Sequence, residues 1–98
     1  MTNSDGDKAA EITWPYVHTF GRPVEVLKDR ETSIMLREPT VKDLLQHGVL
    51  DGTMNAEQMI GLIADLSDWP PPKIQALPGV EGMRLSAVLS RFFSSAAR

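Results

Sequence analysis

The stretch LREPTVKDLL, residues 36–45, decides the fold because two different apolar patterns meet in it. Glu38 precedes Pro39 and is therefore biased toward an extended conformation. Thr40 is a favoured N-cap residue, and Asp43 stands three residues later, where an acid completes a capping box and favours the helix N-terminus. The sequence predicts that a strand ends before Pro39 and that a capped helix begins after Thr40.

The residues that follow the cap have the spacing of a helix. Val41, Leu44 and Leu45 stand at i, i+3 and i+4, which places them on one helical face. Gly48 is a typical residue for the end of such a helix. We therefore expect a short amphipathic helix directly after the strand.

Upstream of this stretch, residues 16–38 are predicted to form a β-hairpin or a small meander. Pro23 cannot donate to a ladder, so it marks a strand start or an edge. The polar run at residues 28–31 is the predicted turn between two apolar runs. Four apolar residues alternate with period two, as in a half-buried sheet: Val24, Val26, Ile34 and Leu36.

Downstream, the spacing predicts a second helix over residues 56–67, with Asn55 as its N-cap and Gln58 completing a capping box. Three consecutive prolines, residues 70–72, end that helix and begin a short one. A terminal amphipathic helix follows, reaching residue 93. The fold class is therefore α+β, with a small N-terminal antiparallel hairpin or meander followed by three to four helices.

The 98 residues suffice for one domain. Residues 1–13 are polar and predict a flexible leader, residues 14–93 a single α+β domain, and residues 94–98 a frayed tail. The N-terminus lacks the apolar run of a signal peptide, and no stretch approaches the roughly 18 apolar residues that span a bilayer. We expect a cytoplasmic protein, which the absence of cysteine fits.

The net charge of −3 is unevenly distributed, with −6 in residues 1–68 and +3 in residues 69–98. This asymmetry is typical of two solvated surfaces, or of a weakly basic C-terminal helix that meets an acidic partner. An acidic balance disfavours a dedicated nucleic-acid binder, which usually has a basic face. Disulfides, thiolate metal sites and cysteine nucleophiles are excluded because the chain has no cysteine.

No catalytic, cofactor or metal site is predicted. His18 and His47 are far apart and belong to no metal-binding motif. Asp65 and Asp68 stand at i, i+3 on the polar side of a helix, which favours a solvated face over paired acid–base groups. We expect Arg37 and Glu38 to have structural roles. Four methionines indicate core filling more than an adaptable binding surface: Met35, Met54, Met59 and Met83.

Three stretches together resemble the small tail assembly chaperones of long-tailed bacteriophages and prophages, of the Mu-like myophage type. They are GRPVEV (residues 21–26), SIMLREPTVKDLL (33–45) and the long run from LIADLSDWPPPK to RFF (62–93). The resemblance covers about residues 19–93, and LREPTVKDL is its strongest part. Asp68 and Trp69 replace the Gly-Leu that the family usually has before the prolines.

The resemblance implies a non-enzymatic assembly factor in the host bacterial cytoplasm. It would bind and solubilise the tape measure protein, then give way as tail tube protein polymerises. The resemblance also implies a homo-oligomer and a longer form made by ribosomal frameshifting. We predict partner binding through one apolar surface, made up of Trp69, Leu85, Val88, Leu89, Phe92 and Phe93.

Two alternatives belong to other functional classes. A small prophage-encoded DNA-binding regulator would use residues 56–67 as its recognition helix, but these contain no Arg or Lys and include Glu57 and Asp65, which repel phosphate. An enzyme is disfavoured because no nucleophile–base or metal constellation is visible. We also expect no membrane partner.

Overall fold

The structure, a computed structural model, describes residues 13–51 and 55–96. Two antiparallel strands form a hairpin, and four α-helices follow it within the described residues. The strands are β1 (Tyr16–Val26) and β2 (Asp29–Leu36). The helices are α1 (Val41–Gln46), α2 (Ala56–Ser67), α3 (Pro71–Gln75) and α4 (Gly79–Ala96), with a 3₁₀ turn at Val49–Asp51 after α1. The predicted α+β class is confirmed.

The predicted leader lies outside the described residues, except for residue 13. At the other end, α4 continues to Ala96 and so includes residues 94–96, which the sequence analysis assigned to a frayed tail. The domain limits themselves stay a prediction. No helix in the described ranges is both long and apolar enough to cross a lipid bilayer.

The hairpin turn differs from the predicted one. The strands are joined by Leu27 and Lys28, whose φ angles of 50° and 76° are both in the left-handed region. Positive φ at both central residues matches the right-handed twist of the strands, but Asn-Gly usually occupies such a turn. The prediction of a turn at residues 28–31 was wrong because this sequence signal is missing. Asp29 instead pairs with Val26 at the start of β2.

Strand β1 has a bulge that the sequence pattern did not show. The pairing of Thr19 with Ser33 changes to that of Val24 with Glu31, so the register shifts by three residues. The extra residues include Pro23, which is exposed and has no N–H to leave unpaired. The bulge allows both ends of β1 to direct apolar side chains toward the helices.

One hydrophobic core lies between the hairpin and the helices. The four predicted period-two residues of the hairpin are all in it, and Leu62, Ile63 and Leu66 join from α2. Ile74 and Leu77 contribute from α3 and its C-terminal side. Each completely buried aliphatic side chain stabilises the fold by about 1.5–3 kcal/mol relative to exposure.

The predicted helix caps are confirmed. Asn55 and Gln58 form a reciprocal capping box at α2, and Asp68 ends that helix in the left-handed conformation. Pro70 then precedes two prolines in the first turn of α3. These local signals fix where α2 and α3 begin and end, and thus how the helices are placed against the hairpin.

Candidate functional site

The opening stretch forms a polar junction between β2 and α1, here called the Arg37–Asp43 junction (residues 37–43). Arg37 donates from Nη1 to Asp43 Oδ2 (2.7 Å) and from Nη2 to Oδ1 (3.1 Å). The Thr40 side chain accepts from the Asp43 backbone N–H, and the Asp43 carboxylate accepts from the Thr40 N–H at 2.8 Å. The Arg37 N–H donates to Leu66 O at 2.9 Å, which fixes the junction to α2.

The junction is structural, as predicted for Arg37. Hydrogen bonds from Arg37 oppose the effect of burial and, with those from Thr40, hold the pKa of the Asp43 carboxyl well below its usual range. The carboxylate is nearly inaccessible to solvent, and all of its bonds satisfy the cap and the strand exit. It is not available for acid–base chemistry near neutral pH.

A second buried polar group joins β1 to α4. Glu81 accepts from the His18 ring at 2.8 Å and from the Gly21 backbone N–H at 2.8 Å. The hydrogen bond from His18, then that from Gly21, lowers the pKa of Glu81 despite burial. Sequence reasoning missed this pair because 63 positions separate the two residues. The sequence offered one hint that His18 is buried: it stands two residues before Phe20, on the same side of the predicted strand.

The other polar candidates also have structural positions. His47 lies within 2.6 Å of the Asp65 carboxylate, and its ring packs on α2 at Gly61, where a Cβ would approach to 3.1 Å. Asp68 ends α2 in the left-handed conformation, and both Asp65 and Asp68 are exposed, which fits the predicted solvated face. Within residues 13–51 and 55–96, no three potential metal-ligating side chains come together.

The six predicted partner-binding residues fall into two groups. Leu85 and Leu89 have no exposed surface and belong to the core in this conformation. The other four are half-buried: Trp69, Val88, Phe92 and Phe93. The surface predicted from the sequence is therefore directed largely inward, and only its half-buried members are accessible from outside.

Aromatic contacts hold three of the half-buried residues in place. The ring of Trp69 stacks edge-on against Phe20, while the Lys73 ammonium lies 4.3 Å from the Trp69 ring centroid. Phe92 lies between Trp14 and Phe93, with ring centroids 5.1 and 5.3 Å away. Such pairs stabilise a fold by about 0.5–1.5 kcal/mol beyond their area burial.

A different surface is open and apolar. The three-helix groove, a cavity of about 530 Å³, is enclosed by α2, α3 and α4. None of the described residues that line it is charged. Its large apolar side chains come from all three helices and the segment joining the last two: Met59, Ile60, Ile63, Ile74, Leu77 and Met83.

The other lining residues of the groove are mostly small. Besides Gln75 and Pro78, there are six small ones: Ala56, Gly79, Gly82, Ser86, Ala87 and Ser90. Five of these six lie on α4, spaced so that they follow one helical face. A Cβ built at Gly82 meets no atom within 4 Å, so there is open space above this face. Small residues let another backbone approach closely, and the groove thus has the form of a helix-docking surface.

Two further apolar surfaces are exposed. On α1, Val41 is 67% and Leu45 is 65% exposed, so the amphipathic face predicted for that helix points partly to solvent. Val17 and Met35 are cross-strand partners on the outer face of the hairpin. Met83, at the groove, is 74% exposed.

The prediction of core filling was wrong for Met35 and Met83, and Met54 lies outside the described residues.

Comparison with known proteins identifies one family. A family model described as "Phage tail assembly chaperone proteins, E, or 41 or 14" matches residues 18–94. This range includes most of β1, all of β2 and almost all of the four helices. No curated protein and no solved structure matched the chain.

Proposed function

This chain belongs to the family of phage tail assembly chaperones, and from that premise we propose that it binds the tape measure protein and keeps it soluble during tail assembly. The resemblance implies a client that is long, helical and prone to aggregate until tail tube protein polymerises around it. A chaperone for such a client needs an apolar surface that is not consumed by its own folding. The three-helix groove is the observation that supports this proposal most directly.

The groove meets that requirement at its rim, because Ile63, Ile74 and Leu77 at its base belong to the core, whereas Met59, Ile60 and Met83 are not fully buried. The largest core side chains of α2 and α4, including Leu62, Leu85 and Leu89, are fully buried on the hairpin side. The groove lies along other faces of the same helices, where Met83 is left in solvent. An uncharged apolar surface that folding leaves accessible, here Met83 with the half-buried Met59 and Ile60, is typical of interaction sites.

The half-buried aromatic residues extend the proposed contact surface. Trp69, Val88, Phe92 and Phe93 retain some exposed area and can contact a client without unfolding. Leu85 and Leu89 can do so only if α4 leaves the core. We therefore centre the client site on the groove and treat the aromatic residues as a secondary contact.

We further propose that the protein acts without catalysis, in the host cytoplasm, and as a reversible oligomer. Its buried carboxylates are used to hold elements together, Asp43 through Arg37 and Glu81 through His18. Weak contacts repeated along a long client give avidity while each contact can still be displaced by tail tube protein. A longer frameshifted form would add a second means of recruiting that protein.

Co-expression tests the proposal. The tape measure protein of the phage or prophage that encodes this chain would be expressed alone, with the chain, and with an unrelated protein of similar size. We expect the tape measure protein to be recovered in the soluble fraction only with the chain, and to copurify with it. An unrelated aggregation-prone helical protein serves as the control client and should stay insoluble.

Two outcomes decide the proposal. If the tape measure protein stays insoluble with the chain, or if both clients are solubilised equally, tape measure recognition is wrong. A Trp69→Ala, Phe92→Ala double variant then compares the contribution of the aromatic residues to client binding with that of the groove. Once its folding has been verified by circular dichroism, it should lower the recovery of client only in part if the groove is the main site.

A further inference from the structure

One edge of the three-helix groove is positively charged, although the chain as a whole is acidic. The exposed edge of α4 follows helical spacing through Val80, Arg84, Ala87, Arg91 and Ser94. Ala87 lines the groove, and it stands three residues after Arg84 and four before Arg91, so both arginines are its neighbours on the helix surface. The edge of the groove on α4 therefore carries two cations.

The one acidic side chain among the described residues of α4 neutralises this edge only in part. Glu81 stands three residues before Arg84 on the same side of the helix, but its carboxylate is buried and bonded to His18 and Gly21. Arg84 Nη1 forms a long ion pair with Glu81 Oε2 at 3.7 Å, and the Arg84 side chain is 54% exposed. Arg91 forms no ion pair with the residues that the structure describes. Arg91 can thus bind an incoming carboxylate, and the exposed part of the Arg84 guanidinium can do so while it stays near Glu81.

On this basis we infer that the groove takes one amphipathic helix of the client whose apolar stripe is bordered by acidic residues on the side facing α4. The inference rests on the proposed function and names the class of segment that is recognised. The small residues from Gly79 to Ser90 extend over about 17 Å of helix, or three turns. A helix lying on them would place its flanking carboxylates opposite Arg84 and Arg91.

The charge distribution selects a client segment over a second copy of this chain. One helix that a second copy could offer is α1, whose exposed apolar residues are Val41 and Leu45. The exposed Lys42 lies beside them, while the acid of that helix, Asp43, is buried and bonded to Arg37. Docking α1 in the groove would bring a cation toward the cationic edge, which is unfavourable.

The α2 wall of the groove, opposite α4, is not cationic, so acidic residues are predicted only on the α4 side of the bound helix. Glu57 stands three residues before Ile60 on α2 and is exposed. A carboxylate there does not favour acidic residues on the α2 side of the bound helix. The two walls differ in charge, so the occupant is expected to bind in one orientation about its own axis.

A pair of synthetic helical peptides tests the inference directly. Both are fluorescein-labelled 21-residue peptides with the same leucine and alanine stripe, and one flank carries glutamate in the first and lysine in the second. Fluorescence anisotropy at low ionic strength measures their binding to the full chain. We expect the glutamate peptide to bind about tenfold more tightly, a preference that decreases as salt screens the charges.

Matched variants test whether the preference for the glutamate peptide comes from the cations at the groove edge or only from the net charge of the chain. Arg84→Gln with Arg91→Gln removes two cations beside the groove, and Arg22→Gln with Lys42→Gln removes two exposed cations elsewhere. The first pair should reduce the preference to about twofold or less, whereas the second should leave it near tenfold. Glutamine keeps helix propensity and avoids placing a new acid near Glu81.

The results distinguish this inference from the proposed function. Equal binding of the two peptides, or the same loss of preference in both variant pairs, overturns the acidic-edge inference. If neither peptide binds while the chain solubilises the tape measure protein, the groove inference fails and the proposed function stands. If the peptide preference is found but the tape measure protein stays insoluble, the client assignment fails instead. A change of oligomeric state in Arg84→Gln, Arg91→Gln by sedimentation would identify a second copy as the occupant and also overturn the inference.

Discussion

The Arg37–Asp43 junction and the three-helix groove are opposite kinds of surface within one small domain. At the junction, the buried carboxylate of Asp43 bonds to Arg37 and Thr40, so its strong polar groups are satisfied within the chain. In the groove, apolar side chains such as Ile60 and Met83 border open space, and no charged residue lines it. The comparison shows that the junction's polar groups are satisfied within the chain, whereas the groove keeps accessible apolar surface, which is why we propose it as the binding site.

The two faces of α4 repeat this contrast within a single helix. Leu85 and Leu89 are fully buried against the core, while Gly82, Ser86 and Ala87 line the groove. Substitutions on the first face should therefore cost stability, and those on the second should alter binding. The predictions below test this division, from the largest expected change in stability to the smallest.

Leu85→Ala and Leu89→Ala should each lower the free energy of unfolding by about 3 kcal/mol, because each removes a completely buried side chain and leaves a cavity. Met83→Ala on the exposed face is the matched control and should change it by no more than about 0.5 kcal/mol. Urea denaturation measures all three. If all three variants lose a similarly small amount of unfolding free energy, Leu85 and Leu89 do not form the core face of α4.

Asp43→Ala should cost about 2 kcal/mol, since the helix cap is lost and Thr40 and Arg37 lose an acceptor. The half-exposed Arg37 can rehydrate, which limits the loss. The pKa of Asp43 is lower in the folded chain than in the unfolded one, so its contribution is complete above about pH 4 and declines as the pH falls further.

The same comparison can be made across pH. Wild type should lose stability between pH 5 and pH 3, roughly the range in which unfolded carboxyls take up protons. Asp43→Ala should lose less over that range, because one of the contributing groups is absent. The depressed pKa of Glu81 acts in the same direction and accounts for part of the remaining slope. An unchanged pH slope in the variant would contradict the role assigned to the junction.

Thr40→Ala should cost about 1 kcal/mol, because only the side-chain cap of α1 is removed and the Arg37–Asp43 pair stays. Thr40→Ser keeps the acceptor and should recover most of the loss. Chemical denaturation midpoints at pH 7 compare the two. A midpoint for Thr40→Ala equal to that of wild type would mean that the cap does not contribute.

How far the sequence predicted the structure depends on whether the signal is local. Thr40 with Asp43 and Asn55 with Gln58 were predicted as caps because each pair is three residues apart and carries its own signature. The turn at residues 27–28 was missed because neither residue is Gly or Asn. Caps and turns can be predicted from local sequence only where the residues at the decisive positions are those typical of the cap or turn.

The candidate site could be predicted only in part, since burial depends on the tertiary arrangement. The periodicity of α4 identified Leu85 and Leu89 as an apolar stripe but did not show whether a partner or the core covers it. The three-helix groove depends on how α2, α3 and α4 pack, and the residues on its floor, such as Gly82 and Ser86, carry no apolar signal. The bond from His18 to Glu81 joins distant residues and has no sequence signature.

The central claim is that the groove binds the client, and Gly82→Leu tests it most directly, with Gly82→Ala as the matched control. Both replace a helical glycine above which space is open, so each should raise stability by up to about 1 kcal/mol and the melting temperature by about 4–8 °C. Only leucine extends far enough into the groove to obstruct a helix that lies over Gly82. In co-expression, we predict that Gly82→Leu, although more stable than wild type, leaves the tape measure protein insoluble, while Gly82→Ala keeps it soluble. Recovery of the client with Gly82→Leu equal to that with wild type would contradict the account.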